Sequence, residues 1–378
     1  MNFDFDTELK ELGETARSYL ADACGPSAAR SALENGGQLD KRIWREIAEM
    51  GWLAASIPEE DGGLGFGHLA VCVLATELGR ALAPLPFSSS IYLATEALLL
   101  FGSRQQKSEW LPRLAAGDVI GAFALVERPG YLGFDNFSAF VKNEQLTGHK
   151  PVVADSATAD FAIVAAMDEA GLPGLFLVGL EGASIEKTVQ ETIDPSRQHS
   201  TLVFDKHAAQ KLPGSGAKDA IRHLVERAAV MFAFEQLGVA EAALEMACAY
   251  AKERYAFGRP IGSFQAIKHK LADVYVANQL ARSNCYYGAW ALHARAGELP
   301  QAAAASRISA SAAAWQATKE NIQTHGGMGF TWEMDCHLYY RRAGLLGLAL
   351  GGASQWKRHL IADLRNGEDA QEEFPNGL

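Results

Sequence analysis

The last third of the sequence contains the stretch Arg254-Tyr-Ala-Phe-Gly-Arg-Pro-Ile-Gly-Ser-Phe-Gln265 between two long helical patterns. Two glycines and a proline interrupt the helical period within it, so Arg254 is predicted at the end of one helix and Gln265 near the start of the next. An alanine-rich helix former, Ala302 to Ala317, follows. Taken alone, the stretch is typical of an ordinary helix-turn-helix with an exposed arginine.

The sequence before this stretch falls into two further blocks. From Phe5 to about Ala116, apolar residues recur at three- and four-residue steps, which predicts an all-α region. From Ile120 to about Leu212, short β-rich runs such as Phe161 to Ala166 and Leu175 to Val178 predict a small antiparallel β domain. The block order excludes a doubly wound sheet and predicts an α+β protein dominated by helices.

We therefore expect three domains. They are an N-terminal helical domain over residues 1–119, a middle β domain over 120–214 and a C-terminal helical domain over 215–378. We also expect the acidic segment after Asn366 to be loosely ordered.

Composition excludes several classes of protein. The net charge of -11, without a basic cluster, argues against a nucleic-acid partner. The five cysteines are odd in number and never in a C-x-x-C spacing, which disfavours a disulfide framework and a zinc site and favours a reducing cytoplasm. No apolar run of about 18 residues and no targeting pattern occurs, so we expect no membrane partner.

A second glycine-containing stretch, Gln323-Thr-His-Gly-Gly-Met-Gly-Phe330, follows the alanine-rich helix. Gly326 and Gly327 carry no side chains, so backbone N–H groups there can approach a ligand closely. A Gly-Gly pair between helices is, by itself, more often a tight turn. The common nucleotide signatures G-x-G-x-x-G and G-x-x-x-x-G-K-[ST] are absent.

Together the two stretches resemble the acyl-CoA dehydrogenase family, in which R-x-x-F-G-x-P-I-x-x-F-Q and Q-x-x-G-G-x-G-[FY] bind FAD across a subunit interface. Three further segments are similar to family motifs: Ile57-Pro-Glu-Glu-Asp-Gly-Gly-Leu-Gly65, Leu146-Thr-Gly-His-Lys150 and Asp194-Pro-Ser-Arg197. The resemblance covers nearly the whole chain. It implies a helical N-terminal domain, a middle β domain and a C-terminal four-helix bundle.

The resemblance also implies roles for particular residues. Arg254 would pair with the FAD pyrophosphate of a neighbouring subunit, and Phe257 would pack on the cofactor. The adenosine half of FAD would be held by Gln265, Gln323, Gly326 and Gly327. A site completed by a neighbour implies a homo- or hetero-oligomer, a tetramer built as a dimer of dimers. The implied substrate is an acyl-CoA thioester, and the implied electron acceptor is an electron-transfer flavoprotein or a similar protein.

The sequence departs from the family where a catalytic base is expected. Removal of the α-proton of an acyl-CoA needs a positioned carboxylate. The resemblance implies one at either of two positions, which are occupied here by Gly351 and Tyr255. Glycine has no side chain, and a tyrosine with an ordinary pKa of about 10 is a poor proton acceptor at neutral pH. The segment beside the flavin also differs, although Glu127 and Asp135 remain within it.

Other ionisable residues are further candidates for the base. We expect Glu333 and Asp335 to lie in a polar loop that pairs with Arg341 and Arg342. Glu241 and Glu245 lie four residues apart and are predicted to form a solvated helix face. We expect His325 and His337 to be hydrogen-bonded structural residues rather than bases.

Three functions remain open at this stage. The segments Trp332-Glu333 and Arg341-Arg342 are similar to the bacterial branch of the family that oxidises steroid side chains or other bulky acyl-CoA esters. In that branch, one subunit carries the base and a paralogous subunit lacks it, and we expect this chain to be the latter. The alternatives are a self-sufficient dehydrogenase with another base, and a redox-inactive binding or scaffold protein.

Overall fold

The first part of the chain is helical, as predicted. The computed structural model describes residues 5–372 except 129 and 218, and for residues 366–372 it describes the helical backbone without the side chains. The predicted loose order after Asn366 is not seen as far as Glu372, where the backbone is helical, and residues 373–378 lie outside the described residues. The helices are α1 (Thr7–Ala23), α2 (Pro26–Glu34), α3 (Lys41–Glu49), α4 (Gly67–Arg80), a π-helical segment (Ser88–Thr95) that continues into α5 (Glu96–Phe101), and α6 (Arg104–Ala115).

Local capping explains where several of these helices begin. The Asp6 carboxylate accepts a hydrogen bond from the Leu9 amide at 2.9 Å and so starts α1. Ser103 and Gln106 form a reciprocal capping box at the start of α6, because each side chain bonds the other residue's backbone amide.

A β-sheet forms the middle of the molecule. Its strands are β1 (Gly121–Ala124), β2 (Phe140–Lys142), β3 (Gln145–Ala154), β4 (Phe161–Met167), β5 (Pro173–Gly179), β6 (Ile185–Gln190), β7 (His199–Ala208) and β8 (Gln210–Lys211). The strand order is β6-β7-β3-β2-β4-β5-β8, with β1 paired to β4.

The middle sheet is largely antiparallel, as predicted, but it contains parallel pairings that the sequence did not reveal. Strand β1 runs parallel to β4, and Phe140 of β2 pairs in parallel with Met167 of β4. Parallel neighbours need a long connection, and the β2–β3 hairpin inserted between β1 and β4 supplies it. The sequence pattern of short strands and turns does not show which strands pair with each other on either side of this insertion.

The last part of the chain is a helical bundle followed by two shorter packed helices. Its elements are α7 (Ala220–Glu253), β9 (Tyr255–Ala256), β10 (Arg259–Pro260), α8 (Gln265–His293), α9 (Leu299–His325), α10 (Cys336–Leu348) and α11 (Ala353–Glu372). Helix α7 packs closely on α4, because a Cβ atom at Gly238 or Gly79 would lie 2.0 Å from a carbonyl oxygen of the other helix.

A buried polar network joins the sheet to both helical regions. Arg342 of α10 pairs with Asp194 at 2.6 Å and donates to the carbonyls of Leu82 and Ala83 after α4. Burial opposes ionisation of Asp194, but the Arg342 guanidinium and Ser196 hold the pKa of that carboxyl below its ordinary value. The three parts of the chain are therefore tied at one fully satisfied junction.

The structure also bears on the excluded classes. The five cysteines are unpaired. Within the described ranges, no three His, Cys, Asp or Glu side chains are grouped so that they could hold a metal ion. Across the same residues, every helix is too short or too polar to cross a membrane.

Candidate functional site

The first glycine-containing stretch forms a surface hairpin between α7 and α8. Helix α7 ends at Glu253, and α8 begins at Gln265, as the sequence predicts. The hairpin is closed by the Ile261 amide, which donates to the Arg254 carbonyl at 2.7 Å. The sequence dictates this geometry, because the helical period stops where glycine and proline enter.

The tip of the hairpin presents an aromatic ring to solvent. Phe257 and Gly258 both have positive φ values, 55° and 81°, as a tight two-residue hairpin turn requires. The Phe257 side chain is 96% exposed. A bulky residue in a left-handed conformation with so little of its surface covered indicates a binding role rather than packing within this chain.

The second stretch forms the turn at the end of α9. Gly326 has φ +60°, and a Cβ atom at either Gly326 or Gly327 would have no neighbour within 4 Å, so a ligand can approach this turn closely. The Gly326 amide itself donates to the Gln323 carbonyl at the end of α9. The preceding His325 is buried and stacks on Tyr250, with ring centroids 4.0 Å apart. Its Nδ1 lies 2.9 Å from the Asn321 carbonyl, which confirms the prediction of a hydrogen-bonded structural histidine.

Two contacts bring these stretches to the same end of the bundle. The His325–Tyr250 stack links the end of α9 to the last turn of α7, one turn before Arg254. Lys270 in the second turn of α8 pairs with Glu320 near the end of α9 at 3.4 Å. The ends of α7 and α9 and the start of α8 therefore meet on one surface.

This surface suits a ligand that carries phosphate and an aromatic group. Arg254, Gln265 and Gln323 are exposed, and within the described part of the chain the Arg254 guanidinium has no hydrogen-bond or ion-pair partner. A free guanidinium beside an open glycine turn offers the donors that a phosphate or pyrophosphate needs.

The two positions at which a base was sought do not supply one. Gly351 lies in the turn between α10 and α11 with φ +86°, and a Cβ atom there would lie 2.7 Å from Gln355 Oε1 and 3.2 Å from Leu132 Cδ2. Leu132 is buried over the turn. Tyr255 is 64% exposed on the hairpin. Position 351 thus lacks a carboxylate, and a side chain there would require Gln355 and Leu132 to shift and the left-handed backbone to be strained. The approach of Leu132 was not predicted.

The turn at Gly351 is held from inside the bundle by Arg307, another residue that the sequence did not reveal. Arg307 is buried and donates to the carbonyls of Leu346 and Ala349 and to Gln236. These bonds satisfy carbonyls that the end of α10 leaves unpaired. Burial lowers the pKa of Arg307 to about 10, although Glu235 opposes the shift.

Glu127 serves as a structural tie. Its carboxylate accepts hydrogen bonds from the Ala139 amide and from Lys150 Nζ, both at 2.9 Å. Lys150 is fully buried and also donates to the Leu125 carbonyl at 3.2 Å. The loop between β1 and β2 is closed by these bonds around a concavity of about 140 Å³. Asp135 is exposed on the same loop.

The predicted partners of Asp335 are wrong. Asp335 pairs with Arg30 of α2 at 2.5 Å, whereas Arg342 is directed into the buried junction with Asp194 and Arg341 donates to the Ile193 carbonyl. The cause is geometric, because Asp335 lies at the start of α10 beside α2 while the arginines lie on the face of α10 that packs inward and towards the sheet. Glu333 remains exposed in the loop.

The predicted solvated face on α7 is only half right. Glu245 is 64% exposed, but Glu241 is largely covered and pairs with Arg282 at 2.6 Å and with Arg80 at 3.4 Å. Helices α4 and α8 pack against this part of α7, which a helical period cannot show. Glu241 is therefore held between two cations.

Comparisons with known proteins agree with this architecture. The family profile "Acyl-CoA dehydrogenase, N-terminal domain" matches residues 6–118, and "Acyl-CoA dehydrogenase, C-terminal domain" matches residues 214–364. Acyl-CoA dehydrogenase IpdE2 from Mycobacterium tuberculosis is 36% identical over 338 residues, which are 89% of this chain and 91% of that protein.

Two solved structures are similar over nearly their whole length. The ChsE4-ChsE5 complex from Mycobacterium tuberculosis has a TM-score of 0.87 at 28% identity and covers 100% of both chains. A variant of the Tcur3481-Tcur3483 steroid ACAD has a TM-score of 0.86 at 30% identity, covering 96% of this chain and 99% of that one.

Proposed function

Because the chain belongs to the acyl-CoA dehydrogenase family, we propose that it is the base-lacking subunit of a heteromeric, FAD-dependent acyl-CoA dehydrogenase. The substrate class we propose is a steroid side-chain or other bulky acyl-CoA ester. Its similarity to the steroid ACAD structure and to the ChsE4-ChsE5 complex supports both parts of the proposal.

The observation that carries the proposal is the surroundings of Gly351. The α-proton of a thioester must pass to a positioned carboxylate in the reaction. At position 351 there is no side chain, and Leu132 and Gln355 occupy the space next to it. The base must then come from another chain, and a paralogue with a glutamate at the position of Tyr255 would provide it.

The end of the bundle retains the features that a cofactor needs. Arg254 would hold the FAD pyrophosphate, and Gln265, Gln323 and the open glycine turn at Gly326 and Gly327 would hold the adenosine half. Phe257 would cover the cofactor from the hairpin. Bound FAD would supply the acceptor for the hydride that leaves the β-carbon. We propose that an electron-transfer flavoprotein or a similar protein then accepts the electrons.

The alternatives have less support. A self-sufficient enzyme needs a free carboxylate near the reaction, yet Glu127 and Glu241 are each engaged by buried or half-buried cations. A redox-inactive scaffold would have no need for an unpaired guanidinium beside an open glycine turn.

The test compares the chain alone with the chain co-expressed with such a paralogue. Each preparation is assayed for bound flavin and for turnover of straight-chain, branched and steroid-side-chain acyl-CoA esters with a ferrocenium acceptor. We expect turnover only with the paralogue, and we expect it to be lost when the paralogue's glutamate is changed to glutamine. Robust turnover by the lone flavin-loaded chain would exclude the partner-subunit function. Colourless protein in both preparations would instead indicate the scaffold.

A further inference from the structure

The loop that follows the glycine turn is held by a residue from the opposite end of the chain. Arg30, on α2, donates a hydrogen bond to the Trp332 carbonyl and pairs with Asp335 at 2.5 Å. Its guanidinium carbon also lies 5.5 Å from the centroid of the Trp332 ring. One side chain therefore contacts the backbone, the ring and the carboxylate of a single short loop.

The loop is organised around the same tryptophan. The Trp332 ring stacks on His337, with centroids 4.9 Å apart and planes 20° from parallel. Thr331 donates from both its hydroxyl and its amide to the Met328 carbonyl at 3.0 Å. Residues 328–337 are thus held together by contacts among themselves, and Arg30 connects this loop to α2.

The glycine turn lies between two anchors. On its N-terminal side, His325 is fixed by the stack on Tyr250 within the bundle. On its C-terminal side, Trp332 is fixed by Arg30. Gly326 and Gly327 are exposed between them, and a glycine turn with no side chains packed around it keeps its orientation only if both flanks are held.

We infer that Arg30 is a positioning residue: by holding the Trp332 loop against α2, it keeps the backbone of Gly326 and Gly327 oriented for FAD. The inference rests on the proposed cofactor role of the glycine turn. Arginine suits this position because its planar group donates in two directions while it lies over an aromatic ring, which a lysine ammonium cannot do equally well.

The first measurement needs no cofactor. Hydrogen exchange of the backbone amides of residues 326–335 is followed in the full chain for the wild type, Arg30→Met and Arg30→Lys. We expect faster exchange in this segment for Arg30→Met and an intermediate effect for Arg30→Lys, which can keep the ion pair with Asp335. Arg42→Met is the matched control, because Arg42 is also an arginine of the N-terminal helices, and among the described residues its ion pairs are with the neighbouring Asp40 and Glu46.

The second measurement is FAD affinity, obtained by fluorescence titration of the flavin-stripped complex with its co-expressed paralogue. If the competent orientation of the turn falls to a tenth of the population, the apparent Kd for FAD rises about tenfold. Asp335→Asn removes only the ion pair, and we expect a smaller rise in the apparent Kd for FAD. This variant tests the same role if Arg30→Met fails to fold.

The outcomes distinguish the positioning role of Arg30 from the proposed FAD site at the glycine turn. Unchanged exchange in residues 326–335 overturns the positioning role, whatever the FAD affinity. Faster exchange with an unchanged Kd shows that the loop is held by Arg30 but that the glycine turn does not contact FAD, which counts against the proposed cofactor site. Faster exchange with a raised Kd, and neither effect in Arg42→Met, is the expected result.

Discussion

Gly351 shows how a single residue can carry more information in the structure than in the sequence. In the sequence, it shows only that no carboxylate occupies this position. In the structure it is also a left-handed residue, with φ +86°, that faces Leu132 and Gln355. Placing a glutamate at this position therefore requires more than adding its side chain.

We predict that Gly351→Glu leaves the lone chain inactive and lowers its melting temperature. A non-glycine residue in the left-handed region costs about 1–2 kcal/mol, and Gln355 must also move. The measurements are turnover and the thermal unfolding midpoint. Gly352→Glu is the matched control, since a Cβ atom there has no neighbour within 4 Å, and it should unfold like the wild type. Turnover by Gly351→Glu would show that the cleft is intact and lacks only its base.

Arg254 is the residue on which cofactor binding should depend most directly. Arg254→Ala removes a charge-assisted pair with the pyrophosphate, so we expect FAD to bind about ten- to a hundredfold more weakly. The measurement is the ratio of flavin to protein absorbance after gel filtration. Lys252→Ala, at an exposed cation in the last turn of α7, should retain the wild-type ratio. An equal loss in both variants would indicate a general charge effect rather than a specific pair.

At the scale of elements, local sequence patterns were sufficient to predict helices and strands whose positions depend on neighbouring residues. The helical period that stops at Arg254 and resumes at Gln265 marks the ends of α7 and α8, and the β-rich run from Phe161 to Ala166 lies within β4. Contacts between distant segments could not be predicted in this way. The parallel pairing of β1, the Arg30 partner of Asp335 and the burial of Glu241 all depend on such contacts.

The loop between β1 and β2 depends on one buried ion pair. Lys150→Met leaves the Glu127 carboxylate without its cation, and breaking a buried pair from one side typically costs about 3–5 kcal/mol. Because Glu127 is partly covered rather than fully buried, we expect the lower end of that range. The loop should be cut faster by proteases within residues 126–138, while Lys142→Met, at an exposed lysine of β2, should resist like the wild type. Equal resistance of both variants would mean that the backbone bonds to Glu127 are sufficient.

The buried Glu226 carboxyl of α7 should make stability depend on pH. Burial raises the pKa of Glu226 to about 7, although Arg222 opposes the shift. The unfolded carboxyl ionises near pH 4.3. The folded protein therefore loses stability as pH rises from about 4.5 to about 7, because it must ionise a group that it holds protonated more strongly than the unfolded chain does.

Glu226→Gln should remove this penalty. We expect its melting temperature to exceed that of the wild type by about 2 °C at pH 8 and to come close to it at about pH 4, since the carboxyl is then mostly protonated in both the folded and the unfolded chain. Glu253→Gln, at an exposed glutamate of the same helix, should shift neither value. A lower melting temperature for Glu226→Gln at pH 8 would show that the bond to Arg222 outweighs the cost of burial.

At the scale of the whole molecule, we expect the outer face of α8 to link cofactor binding to assembly. Tyr275, Val276 and Leu280 are each more than half exposed on the helix that begins at Gln265. Clustered apolar side chains of this size on a helix face mark a contact with another chain. Because the proposed FAD site is completed by a neighbour, this face should hold the two subunits in the register that the cofactor needs.

We predict that Leu280→Glu lowers the oligomer mass and the flavin content together. A charge placed in an apolar contact is costly to bury, and a dissociated subunit cannot complete its neighbour's FAD site. The mass is measured by light scattering during gel filtration, and flavin by absorbance of the same peak. Leu172→Glu is the matched control, because Leu172 is a similarly exposed leucine in the turn before β5. A smaller oligomer that keeps its flavin would show that FAD is held within one chain, and an unchanged oligomer would exclude α8 from the subunit contact.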